Sequence, residues 1–175
     1  MSVGLNLKYL LSIEVWGRYG FTNTNVDPKK LNPIIIAVQQ LRVEPIIGST
    51  LYKKLIADFP TYTGLYETLM NDHITLMMIS YCDWEYTFHG TYQMTNKTVG
   101  VNSDEHIRAN EQAANNDLRD NLIKTAKQRE RKLIGFLKDN WNNIPELRES
   151  DPDTCHSDIR PTKSTNSESL NFGII

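Results

Sequence analysis

Between Asn32 and Phe59 apolar positions recur twice at helical spacing, separated by an interruption from Pro45 to Gly48. Asn32 offers a capping oxygen, and Pro33 suits the first helical position, where its missing N–H would have no partner anyway, so a helix is predicted to start there. Its apolar stripe is Ile34, Val38 and Leu41, at i, i+4 and i+7, and its polar face carries Gln39, Gln40 and Arg42. Pro45 has no N–H for a helical bond and Gly48 readily takes positive φ, so the pair is expected to end this helix and leave Ser49 or Thr50 to cap the next. In that second helix Leu51, Leu55, Ile56 and Phe59 share one side before Pro60 breaks it. Upstream, Asp27 and Pro28 form another cap and first-position pair, giving a single turn. Leu7, Leu10, Leu11 and Val15 predict a short helix that Gly17, Gly20 and a polar TNTN run keep from lengthening.

Two longer helices come next along the chain. From 65 to about 92 there is no Pro and no Gly before Gly90, and Leu65, Leu69, Met77, Tyr81, Trp84 and Phe88 recur at multiples of three and four. The added bulk of Met70, Met78, Tyr66 and Tyr86 exceeds what one partner helix needs, which predicts packing against both a core and a neighbouring subunit. Between 104 and 140, Leu118, Leu122, Ala126, Leu133 and Phe136 or Leu137 mark a second long helix, expected antiparallel to the first. Gly135 inside it implies either close backbone approach or a locally weak helix. The stretch 94–103 reads as a loop or small hairpin. The expected fold is therefore all-α: a small bundle of two long antiparallel helices with short N-terminal helices. It spans 1–149 and precedes an extended C-terminal tail, 150–175, too polar to build a core except at its end, LNFGII.

Composition narrows the function classes. Hydrophobic residues make up 39% and charged residues 23%, no apolar run approaches the ~18 residues that span a bilayer, and no secretory signal is expected at the N-terminus. A net charge of −2 argues against a surface that grips nucleic acid all round. Cys82 and Cys155 lie far apart in unlike settings, and the four histidines form no ligand-spaced cluster, so neither a disulfide nor a metal site is expected. Asp72, Asp83 and Glu85 flank aromatic residues, but adjacent helix positions diverge, and their expected role is solubility. No nucleophile elbow or phosphate-binding glycine loop occurs, so no catalytic residue and no cofactor are expected.

Lys124, Lys127, Arg129, Arg131 and Lys132 concentrate positive charge on the second long helix. A solvated face is the plain explanation. A stripe facing a neighbouring subunit, or the wall of a channel that passes DNA, is the functional one, with Asp117, Asp120 and Glu130 diluting the field. A small helical nucleic-acid-binding protein is the alternative class.

The ordered set Ile34, Gln39, Pro45, Ile47, Gly48, Leu51, Tyr52 and Leu55 resembles the core of head-to-tail connector proteins of tailed phages, particularly those of crAss-like and other Bacteroidetes phages. The resemblance extends through the Thr95-Asn96-Lys97 loop with Gly100 to Pro145-Glu146-Leu147. It implies a non-enzymatic virion protein, made in the host bacterial cytoplasm, that forms a ring at the head–tail junction. There it joins the portal protein to the next tail or ring protein and extends the DNA channel, usually in about twelve copies. On this view DNA passes without specific binding and no membrane is a partner. Asn96, Lys97, Val99 and Val101 would contact an adjacent subunit or partner, Lys124, Lys127 and Arg131 would face the channel or a neighbour, and Leu170, Phe172, Ile174 and Ile175 would anchor the tail on a partner.

Overall fold

A computed structural model describes residues 8–21, 28–94, 99–101 and 109–149. The fold is all-α, as expected, with one two-stranded hairpin between its long helices. After an extended entry at residues 8–11, α1 spans Ile13–Tyr19, α2 Pro28–Val38, α3 Glu44–Ile47, α4 Ser49–Asp58, α5 Leu65–Thr68 and α6 Thr75–Thr91. Strands β1 (Tyr92–Met94) and β2 (Val99–Val101) pair antiparallel, with Tyr92 opposite Val101, and lead to α7 (Ala109–Asp139) and α8 (Pro145–Glu149). Two π-helical turns, Gln39–Val43 and Leu69–Ile74, splice α2 to α3 and α5 to α6.

The first π turn rewrites the expected phase. Pro33 lies inside α2 and Asn32 does not cap it: the helix starts at Pro28, and because Pro33 is exposed its missing donor is no buried loss. Nor does Pro45 end the helix. The N–H of Glu44 bonds Gln39 O, five residues back, and this widened turn accommodates the Pro45 ring, which in an α-helix would meet the carbonyl of Leu41. One extra residue in the turn rotates the downstream side chains by about 100°. Leu41 is consequently 70% exposed instead of continuing the stripe, Val43 enters the core, and Gln39, expected on the polar face, is buried. Gly48, at φ 80° and ψ 155°, makes the actual break and itself precedes α4, so Ser49 is the first helical residue and not its cap.

Near the N-terminus the helix also lies later than expected. Ser12 caps α1 by accepting the N–H of Val15 at 3.2 Å, while Leu10 and Leu11 are buried in extended chain. Gln39 holds that chain in place: its Oε1 accepts the N–H of Leu10 at 2.7 Å, and its Nε2 donates to Lys8 O at 3.2 Å and to Tyr52 Oη at 2.5 Å.

Helix α6 packs against both α2 and α7, and Leu69, Met70, Ile74, Met77, Met78, Tyr81 and Cys82 along α6 and its π turn are all buried within the one chain. Leu76 is nevertheless 37% exposed, and Trp84 and Tyr86 are only partly buried, so part of the helix's apolar girth stays at the surface. Contacts of His73 with Phe136, Ser80 with Arg129 and Phe88 with Arg119 run in opposite order along α6 and α7, which makes the pair antiparallel. Leu122, Ala126, Leu133 and Leu137 form the buried stripe of α7, but Leu118, expected in it, is 48% exposed. Helix α8 closes the bundle with Ile144 and Leu147 buried, and Glu146 Oε2 accepts the hydroxyl of Tyr66 at 2.7 Å.

Apart from its own helix, nothing lies within 4 Å of a Cβ built at Gly135, so close approach of another segment is not why a glycine stands there. Gly135→Ala should therefore raise stability by about 1 kcal/mol through helix propensity alone. Chemical denaturation checks this; a destabilised variant would show that the space is needed.

Candidate functional site

The most elaborate polar arrangement among the described residues surrounds Asp83, midway along the apolar α6. Asp83 is 5% exposed, and its Oδ1 accepts the indole N–H of Trp16 at 2.8 Å and the backbone N–H of Phe21 at 3.0 Å. Gly20 makes this approach possible: a Cβ there would lie 2.5 Å from Trp16 Cδ1 and 2.8 Å from Asp83 Oδ1. Arg129 belongs to the same region. Its Nη1 donates to Leu76 O at 2.6 Å and to Ser80 Oγ at 2.7 Å, so this member of the cationic run turns inward to bridge the long helices. Asp83, expected as a solubilising surface residue, is instead a buried acceptor that ties α1 to α6.

Burial pushes the Asp83 carboxyl above the ordinary carboxylate range, against the Trp16 and Phe21 hydrogen bonds and the Arg129 charge, which lower it. A raised pKa means that the folded chain holds the proton more tightly than the unfolded one. The stabilising contribution is therefore present at low pH and lost as pH rises through the raised value. Asp83→Asn should gain stability relative to the parent as pH rises from the carboxylate range toward neutrality, which paired melting curves would show. A gap that stays constant or narrows in the opposite sense would contradict this assignment.

Beside Asp83 a cleft of about 370 Å3 opens between α6 and α7, lined by Phe21, Tyr86, Leu118, Arg119 and Leu122 among others. Its rim carries exposed apolar side chains: Phe21 is 81% and Leu118 48% exposed. The Arg119 guanidinium lies 3.6 Å over the Phe88 ring, and its buried Nε has no hydrogen-bond partner. Neither the cleft nor the Trp16–Asp83 contact is singled out by sequence reasoning, although Asp83 stands alone in an apolar run, MMISYCDW, and that isolation is a readable signal.

Lys124, Lys127 and Arg131, at i, i+3 and i+7, are all exposed and share the face of α7 opposite its buried stripe. Val99 and Val101 form the ends of β2. Asn96 and Lys97, and the tail anchors Leu170, Phe172, Ile174 and Ile175, lie outside the described residues. No group of three or more His, Cys, Asp or Glu placed to hold a metal occurs among the described residues. No described helix is long and apolar enough to cross a membrane.

The model of a family of unknown function, DUF6712, matches residues 43–157, more than half of the chain. The chain belongs to DUF6712. No curated protein and no solved structure matches it. The DUF6712 match takes in α3 to α8 and begins after Gln39, so the Trp16–Asp83 and Gln39–Tyr52 hydrogen bonds join the family region to the segment that precedes it.

Proposed function

We propose that this protein is a structural virion component: a subunit of a ring of about twelve copies that lies beneath the portal of a tailed phage, joins capsid to tail and extends the DNA channel. The observation that carries this is the behaviour of the residues behind the connector resemblance. Ile34, Ile47, Leu51 and Leu55 pack into one core, Gln39 and Tyr52 hydrogen-bond each other, and Gly48 supplies the positive φ between helices. These letters act together as a fold-determining unit, which a chance match would not require. The proposal includes no catalytic step, cofactor or metal, and its partners are the chain itself, the portal protein and the next tail or ring protein.

Antiparallel α6 and α7 would stand as staves around such a ring, with Lys124, Lys127 and Arg131 facing the channel or a neighbour. That same exposed cationic face is what favours a nucleic-acid-binding protein instead. The two roles differ in their salt response: a DNA-binding regulator would hold duplex DNA with an affinity that falls steeply with salt, whereas a channel wall needs no stable complex.

Quantitative mass spectrometry of purified particles tests the proposal. The chain should be present in about the same copy number as the portal protein, and its absence from the particle would overturn the reading. Deleting residues 166–175 should leave the melting temperature unchanged and weaken attachment to the portal, because the sequence LNFGII offers apolar anchors for a partner. Normal attachment of the truncated chain would remove the docking role from Leu170, Phe172, Ile174 and Ile175.

A further inference from the structure

The second π turn, Leu69–Ile74, joins α5 to α6, with the N–H of Thr75 bonded to Met70 O five residues back. The extra residue shifts the phase of α6 against α5 by about 100°. At this joint His73 lies against α7, its ring centre 4.3 Å from that of Phe136 and the two planes tilted by 33°. Its Nδ1 is buried and has no hydrogen-bond partner. The neutral ring tolerates that, because it can carry its one proton on Nε2 and bury only a lone pair at Nδ1. The protonated ring cannot: it must place a charged N–H at Nδ1, away from water and with nothing to accept it. The face of Phe136 attracts a cation, but it does not replace that lost bond.

The surrounding charges compensate only in part. Asp72, beside His73 on the turn, is exposed. Helix α5 brings Glu67, exposed, and Tyr66, whose hydroxyl goes to Glu146, and α6 carries no charged side chain before Asp83. From α7 the charge that bears on His73 is Lys132; Arg129 is held by Leu76 O and Ser80 Oγ, and Lys138 and Asp139 are exposed. Burial holds the imidazole below its ordinary 6.5, Asp72 pulls it up by less, and Lys132 pushes it further down. A folded-state value below the unfolded one means that the stabilising contribution is complete above pH 6.5 and is lost as pH falls below it. Asp83, further along the same helix, has the opposite sign.

We propose that His73 is an acid-sensitive catch: when its ring takes a proton it leaves Phe136, and the α5–α6 joint loosens from α7 while the Trp16–Asp83 contact keeps α1 on α6. Acid thus frees one end of the long helix pair before the other. The catch belongs to the single subunit and does not depend on the ring reading.

Hydrogen exchange of the full chain at about pH 7.5 and about pH 5.5, corrected for intrinsic exchange rates, tests it. Protection should fall at acid pH across residues 69–76 and 132–137 and hold across 13–19. His73→Gln, which keeps a polar side chain but does not titrate, should abolish that acid-induced loss. Lys132→Gln should reduce it and Asp72→Asn enlarge it, the order that the two charges dictate. The same loss in the His73→Gln chain, or an equal loss across 13–19, would overturn the catch. Where a variant does not fold, NMR of the parent decides: the His73 ring, assigned through its contact with Phe136, should titrate below 6.5, and a midpoint at or above that value would overturn the proposal.

Discussion

Trp16→Ala is expected to lower the unfolding free energy by about 3–5 kcal/mol, the range for emptying a buried aromatic site. Trp16 is fully buried, its ring meets Tyr86 edge-on at 6.2 Å, and its N–H is one of two donors to Asp83. Truncation would leave a cavity and a carboxylate short of a partner, in a domain whose whole stability is on the order of 5–15 kcal/mol. The two components separate in part in Trp16→Phe, which keeps a six-membered ring in the site and loses the donor with a smaller share of the packing, at about 1–3 kcal/mol for the donor. Urea unfolding of both variants checks this. Equal losses would place the whole effect in the hydrogen bond, and a stable Trp16→Ala protein would mean that α1 is not an integral part of the fold.

A second large effect divides two leucines of α7. Leu133 is fully buried and its truncation to Ala should cost about 2–5 kcal/mol, whereas Leu122, 7% exposed, lines the open cleft, where its removal adds to existing space instead of creating a closed cavity. Leu122→Ala should therefore melt clearly above Leu133→Ala. Identical melting temperatures would mean that the cleft wall is packed as tightly as the core.

The parts of this fold that are legible in the sequence are those governed by period and composition. The long helices, the Gly48 break and the buried Leu51, Leu55, Leu133 and Leu137 result from spacing that an α-helix imposes over many turns. The rest depends on single hydrogen bonds. A π turn has no periodic signature, so the exposure of Leu41 and the burial of Val43 cannot be anticipated from a 3.6-residue repeat. Gln39, Asp83 and Arg129 are expected at the surface because polar side chains usually belong there, yet each turns inward to a specific partner: Leu10 N–H, Trp16 N–H and Ser80 Oγ. In the sequence Gly20 reads as a helix stop, whereas its missing Cβ is what admits the Trp16–Asp83 contact. The cleft is not legible either, since it depends on where Phe21 falls beside α6 and α7.

We propose that this bundle stands in a ring at the junction of a phage head and tail. Symmetry-resolved imaging of the head–tail junction in purified phage particles tests this most directly. A closed ring of about twelve subunits directly below the portal, each showing α6 and α7 as a long antiparallel pair, is the predicted result; a junction in which no subunit contains this pair would contradict it.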